Sequence, residues 1–230
     1  KPGGYSAYGD DLFNPVRFDE EINRTLEAGI SLRSPNGVAA ATLTVFHSKI
    51  QDYQFEKSAG GTDYVMVNAE QAQSKGMELE VMSFLSRNLM LTGSYGYTDT
   101  RFENHFGYQV DANAITRIPT DFSGNRLPYS PRHTLSLAAQ YFEENGTFAR
   151  LEWRSIGETF FNEANTLRQP TYGLLNARTG RTMGNYRIQF FAQNLLDKEY
   201  NSLIIPLGGP LVGAATGTPR IIGVQIERSF

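Results

Sequence analysis

The chain has 230 residues, with 21 Lys and Arg against 24 Asp and Glu, a formal charge of −3 and no cysteine. That balance excludes the clustered basic surface of a nucleic-acid-binding protein, and the missing thiols exclude a disulfide framework, a thiolate metal site and a cysteine nucleophile. A negative mean hydropathy, with no run approaching the roughly 18 apolar residues of a spanning helix, excludes a helical membrane protein; transmembrane strands, which need only about 9 to 11 residues with one apolar face, stay open.

Residues 1 to about 22 are rich in Gly, Pro, Asp and Asn and read as loop. From Thr25 to Arg33, Leu26, Ala28, Ile30 and Leu32 alternate with Glu27, Gly29, Ser31 and Arg33, which predicts an amphipathic strand. Ser34-Pro35-Asn36-Gly37 is a tight turn, its Asn and Gly suited to the positive φ of hairpin turns. A second strand carries Ala41, Leu43 and Val45 against Thr42, Thr44 and Phe46, and runs through Asp52 and Tyr53 into a loop. A third, from Gly76 to Leu85, sets Met77, Leu79 and Val81 against Glu78 and Glu80. After Ser86-Arg87-Asn88, a fourth strand shows Leu89, Leu91, Gly93, Tyr95 and Tyr97 on one face. The longest loop follows, from Arg101 to about Tyr129.

His133 opens a fifth strand with Leu135, Leu137, Ala139 and Tyr141 on its apolar face. Glu144-Asn145-Gly146 turns the chain into a sixth, where Ala149, Leu151 and Trp153 alternate with Arg150, Glu152 and Arg154. The seventh runs from about Tyr172 to Arg181, and Met183-Gly184-Asn185 returns it into the eighth, with Ile188, Phe190 and Ala192 against Arg187, Gln189 and Gln193. After a Gly- and Pro-rich loop, Ile222, Val224 and Ile226 alternate with Gly223, Gln225 and Glu227 in the last strand.

The sum is about nine strands, with short turns near positions 35, 87, 145 and 184 and long loops near 58, 115, 165 and 209. Strict alternation of short and long connections predicts an all-β, antiparallel up-and-down meander, with one short-turn rim and one long-loop rim. In a membrane barrel the apolar faces meet lipid and the charged faces line the lumen; in a soluble β-sandwich the same apolar faces would meet in a core. For the barrel, Glu78, Glu80, Arg150, Glu152, Arg154 and Arg187 are expected to point into the lumen. The 12 Tyr and 15 Phe suit interfacial girdles or a sandwich core equally.

Ordered motifs narrow the choice. Asn194-Leu195-Leu196-Asp197-Lys198-Glu199-Tyr200, then Gly217-Thr218-Pro219-Arg220 leading a strand that stops at Phe230, resembles the end of the TonB-dependent outer-membrane receptors. Lys1-Pro2-Gly3-Gly4-Tyr5 is similar to a segment of their siderophore-receptor members, Gly76-Met77-Glu78-Leu79-Glu80 to their G-x-E-x-E strand, and Asn125-Arg126-Leu127-Pro128-Tyr129-Ser130-Pro131 to the approach to a later strand. Arg228 departs from the aromatic or apolar residue expected two places before the terminal Phe.

The resemblance implies a transmembrane β-barrel in the bacterial outer membrane, of which residues 1–230 are about nine carboxyl-terminal strands out of 22. A closed single-chain barrel has an even strand number with both termini periplasmic, and nine strands counted back from a periplasmic Phe230 leave Lys1 on the long-loop side, so the plug domain and earlier strands are expected to lie outside this sequence. The implied function is import of a ferric siderophore energised by TonB, which the absent amino-terminal region would contact. Cobalamin, haem and carbohydrate ligands remain open, as does a porin or barrel enzyme. Outer-membrane lipid is a further expected partner, and Phe230 the expected membrane-insertion signal.

Candidate ligand-binding residues in the long loops are Arg101, Phe102, His105, Phe106, Tyr108, Phe160, Phe161 and Tyr200, because cations and aromatic rings at a barrel mouth can stack on an anionic, aromatic chelate. The alternative is that these rings pack the loops. Asn194, Asp197 and Tyr200 read as structural, ordering the exit of the eighth strand. His47, His105 and His133 lack ligand spacing, so neither a metal site nor a cofactor is expected. His133 with Ser130 or Ser136 makes no nucleophile elbow, and no enzyme is expected.

Overall fold

The computed structural model describes residues 1–6, 17–60, 63–110, 117–208 and 211–229. Nine strands form one sheet: β1 Ile22–Arg33, β2 Ala39–Gly60, β3 Asp63–Phe84, β4 Leu89–Asn104, β5 His133–Phe142, β6 Thr147–Ile156, β7 Tyr172–Met183, β8 Tyr186–Gln193 and β9 Ile221–Arg228. Every neighbour in space is a neighbour in sequence and every pairing is antiparallel. The sheet is open, with β1 and β9 at its two edges, and the described residues contain no helix.

The short turns fall where the turn residues placed them. Gly37, Gly146 and Gly184 all have positive φ. Gly146 is required twice over: its φ is 85°, and a Cβ there would lie 2.5 Å from the Thr182 carbonyl oxygen.

Register turns the alternation of each strand into continuous rows across the sheet. One row reads Leu32, Ala41, Val81, Gly93, Leu137, Trp153, Leu175 from β1 to β7; the adjacent row on the other face reads Ser31, Thr42, Glu80, Ser94, Ser136, Arg154, Leu174. Among the described residues, no cluster of buried side chains covers the apolar face. Leu26 is 78% exposed, Ile222 71% and Ile226 67%. A contiguous apolar surface on this scale is unstable in water, and lipid is the solvent that accommodates it.

The long loops are more regular than the expected coil. β2 and β3 are 22 residues each and stay paired beyond Asp52, from Tyr53↔Ala69 to Ser58↔Tyr64, where a loop was expected. Phe106–Val110 pairs with Arg117–Asp121, and Asn201–Gly208 with Leu211–Thr216, so two further loops are hairpins; Gly4–Tyr5 also pairs with Arg17–Phe18. Period-two reading lost β2 at Asp52 for a physical reason. Ile50 and Phe55 are an odd number of residues apart, yet both pack against one cluster. An uninterrupted strand would point them to opposite faces, and Asp52, at φ 52°, is where the chain resets its alternation.

Candidate functional site

At the long-loop rim an aromatic core closes over the inner end of the sheet. Tyr53 stacks on Phe55 at 6.0 Å, Phe55 lies 5.5 Å from Phe102 and 5.2 Å from the His105 ring, Phe102 lies 4.6 Å from His105, and Phe122 stacks on His105 at 5.7 Å. Ala69, Ala72 and Leu127 fill the space between β2, β3 and β4. His105 is 4% exposed, and its Nε2 lies 2.7 Å from Glu163 Oε2. Its backbone is equally committed: the His105 N–H donates to Ser123 Oγ and its carbonyl accepts from the Phe122 N–H.

That contact belongs to a seam joining the β4–β5 loop to the β6–β7 loop. The Arg126 N–H donates to Asn165 Oδ1 at 2.8 Å, and Asn165 Nδ2 returns a bond to the Arg126 carbonyl at 2.9 Å. Asn125 Nδ2 donates to the Glu163 carbonyl, and the Tyr129 N–H to the Phe160 carbonyl. Arg126, 9% exposed, packs its guanidinium 5.2 Å from the Phe160 ring and donates to the Ser130 carbonyl. Burial and then the charge of Arg132 lower its pKa, yet a guanidinium stays charged at any physiological pH. At the base of the neighbouring hairpin, bonds from Ser123 hold the Asp121 carboxyl below its usual range.

The candidate ligand residues therefore separate into two groups. Phe102, His105 and Phe161 are buried and pack the loops; Phe161 lies edge-on to Tyr129 at 5.7 Å. Phe106 and Tyr108 are 68% and 54% exposed on one face of their hairpin. Arg101 bonds Asp99 and the Gly124 carbonyl, Phe160 lies under Arg126, and Tyr200 stacks flat on Tyr172 at 4.3 Å. A Cβ at Gly217 would lie 2.0 Å from the Tyr200 ring, so glycine is what admits that stack. Sequence reading missed Tyr53, Phe55, Phe122, Arg126, Glu163 and Asn165. The Tyr53-Gln54-Phe55 alternation was the available signal for the first pair; the seam residues carry none, because their partners come from another loop.

On the polar face, charged side chains share rows across the sheet. Arg150 pairs with Glu152 at 2.8 Å and bonds Gln140, while Arg154 occupies the row of Glu80 and Ser136. Arg150, Arg154, Arg178, Asn176, Gln189 and Gln225 line a groove of about 540 Å³. Glu78 lies between Thr44 and Gly96, and Arg187 opposes Glu227 and sets its guanidinium 4.6 Å from the Phe148 ring. Among the described residues no three His, Cys, Asp or Glu converge to hold a metal.

The family model described as "TonB dependent receptor-like, beta-barrel" matches residues 1–195. This chain belongs to that family. The TonB-dependent receptor barrel is a structure of the bacterial outer membrane, so the exposed apolar rows are its lipid-facing surface. Among curated relatives, the chain is 27% identical over 181 residues to a ferrioxamine receptor of Yersinia enterocolitica, covering 76% of this chain and 23% of that protein. It is 23% identical over 238 residues to a pesticin receptor of the same species, covering 100% of this chain and 32% of that one. The chain thus spans about a third or less of these relatives. Among solved structures, the ferric yersiniabactin uptake receptor FyuA from Yersinia pestis superposes with a TM-score of 0.80 at 20% identity, over 100% of this chain and 33% of its own. The ferric-catecholate import receptor Fiu from Escherichia coli gives 0.67 at 21% identity, over 100% and 30%.

The motif that begins at Asn194 is a clamp. Asn194, 4% exposed at φ 47°, donates from Nδ2 to the Lys198 and Thr218 carbonyls, each at 3.0 Å, and accepts the Lys198 N–H on Oδ1 at 2.8 Å. Asp197 Oδ1 accepts the Arg220 N–H at 3.0 Å. The exit of β8 is thereby tied to the start of β9, the structural role expected of these residues. Arg228 sets its guanidinium 5.5 Å from the Tyr186 ring, which lets a cation replace the usual apolar residue. Phe230 lies outside the described residues.

Proposed function

We propose that this chain is a carboxyl-terminal portion of a 22-stranded receptor barrel that captures a ferric siderophore at its long-loop rim and imports it at the expense of TonB-transmitted energy. The observation that carries this reading is the exposed aromatic face of Phe106 and Tyr108, presented on a hairpin whose base, Phe102, His105 and Phe122, is packed solid. Exposed rings on a rigid stem suit capture of a bulky chelate, since little ordering remains to be done on binding. The names of the relatives, ferrioxamine and ferric yersiniabactin receptors among them, support an iron chelate as cargo. The cationic groove along Arg150, Arg154 and Arg178 supports a lumen that accommodates acidic groups, whether of a plug domain or of passing cargo. No covalent step on the ligand is involved.

The deciding experiment is iron-limited growth of the source bacterium with the full-length gene deleted, fed single ferric siderophores. Loss of growth on one chelate, restored by the intact gene but not in a strain lacking TonB, supports the proposal. Unchanged growth on every chelate overturns it and puts cobalamin, haem or a sugar in the place of iron.

A further inference from the structure

The lipid-facing side of the sheet changes character abruptly towards the long loops. Rows Ile30, Leu43, Leu79, Tyr95, Leu135 and then Ala28, Val45, Met77, Tyr97, His133 are apolar and aromatic. The next row on the same face reads Leu26, His47, Lys75, Asp99, and the one above it Arg24, Lys49, Gln73, Arg101. Arg132 joins this belt through its 2.9 Å bond to Asp99 Oδ1, and Arg101 through its 3.1 Å bond to Asp99 Oδ2. Five cations thus stand against two carboxylates, Asp99 and Glu103, immediately above the aromatic row. Asp99 is occupied by the two arginines. Arg24, Lys49 and Lys75 are exposed and have no carboxylate of a described residue within ion-pair distance.

Arg24, Leu26, His47, Lys49, Gln71 and Glu103 also border a shallow groove of about 440 Å³ on this face. With strands about 4.8 Å apart, the belt from β1 to β4 is roughly 14 Å wide, too broad for one phosphate and suited to several. Tyr97 on the row below, and Tyr95 on the row beneath that, mark the interface, since tyrosine places its ring in the acyl region and its hydroxyl among headgroups. A cation one or two rows further out therefore sits at headgroup depth.

We propose that this belt is a binding site for a lipid with a phosphorylated headgroup in the leaflet on the long-loop side, with Arg24, Lys49 and Lys75 as its anion-binding residues. The acyl chains lie along Val45, Met77, Leu79 and Leu43 while the phosphates meet the cations above. Charge complementarity commits the site to an anionic lipid rather than to a protein, because the surface beneath it is the one already immersed in acyl chains. The site rests on the outer-membrane location alone and is independent of which ligand the receptor imports.

The test uses full-length receptor, purified in detergent and stripped of lipid, with native mass spectrometry to count bound molecules. Diphosphoryl lipid A, monophosphoryl lipid A and phosphatidylcholine are the probes. The expected order of affinity follows net negative charge, diphosphoryl above monophosphoryl lipid A and both above zwitterionic phosphatidylcholine. Arg24→Gln/Lys49→Gln/Lys75→Gln loses about a hundredfold for the diphosphoryl form, about fivefold for each charge near an anionic surface, while Lys49→Arg keeps wild-type binding. Arg87→Gln, a charge removed from the short-turn rim, has no effect. Equal retention of all three lipids, a triple variant with an unchanged melting temperature that binds like wild type, or complete displacement by equimolar inorganic phosphate overturns the proposal.

Discussion

Two regions of this sheet are held together by different physics. In the membrane-spanning rows the side chains alternate cleanly, yet almost nothing is buried: of the buried apolar residues Phe55, Ala69, Ala72, Phe102, Phe122, Leu127, Ala138 and Phe161, only Ala138 lies there. At the long-loop rim the other seven assemble as they would in a water-soluble domain. The wall relies on backbone ladders and on lipid as its apolar partner. The rim, surrounded by water, must supply its own apolar partner. A rigid loop base is therefore a small soluble-type core built on top of a membrane wall, and the two should respond to mutation by different rules.

The sharpest way to break the comparison is at the rim. Phe102→Ala removes a ring that is 1% exposed and is expected to cost about 3–5 kcal/mol. In full-length receptor this should appear as rapid limited proteolysis between Arg101 and Tyr129 and loss of ligand capture, with the barrel itself still folded. A variant that resists the protease as wild type does would mean that the rim core contributes no rigidity.

In the wall the face decides the outcome. Leu137→Arg places a charge on the lipid-facing row and is expected to cost about 2–4 kcal/mol, whereas Ser136→Arg, one residue away on the polar face between Arg154 and Ser94, should change stability by about 0.5 kcal/mol or less. Refolding titrations of both variants into lipid vesicles measure the difference, and equal costs would refute the assignment of faces.

Asn194→Ala deletes three side-chain hydrogen bonds at a 4% exposed position and leaves the Lys198 N–H and two carbonyls without their partner. The expected loss is about 1–3 kcal/mol, read as a lower melting temperature in detergent; an unchanged value would show that water replaces the clamp.

Phe106→Ala/Tyr108→Ala lies at the other extreme. Both rings are more than half exposed, so stability should move by no more than about 0.5 kcal/mol. Chelate affinity should nonetheless fall about tenfold, as measured by titration of full-length receptor with the chelate that growth selects. Full affinity in this variant would transfer ligand capture to other loops.

Sequence by itself determined the wall. Nine strands, their order, the short turns and the division of charge between faces all follow from the period of two and from turn glycines, Gly37, Gly146 and Gly184, at positive φ, because each strand needs only its neighbours in sequence to pair and each side chain's face is set by parity. The terminal clamp was legible through its motif and through the local Asn194–Lys198 bonds, but its ties to Thr218 and Arg220 span 24 and 23 residues and needed the fold. What only the tertiary structure decided is the rim. Whether Phe102 or Phe106 is buried cannot be read from residue type, as both are phenylalanines in the stretch expected to be one loop, while the structure puts Phe102 at the end of β4 and Phe106 on the hairpin beyond; the answer depends on Phe55 arriving after the reset at Asp52 and on Glu163 and Asn165 arriving from a loop some 40 to 60 residues further on. The cationic belt is likewise invisible along the chain. Arg24, Lys49 and Lys75 are separated by about 25 residues each, and only the register of β1, β2 and β3 sets them side by side.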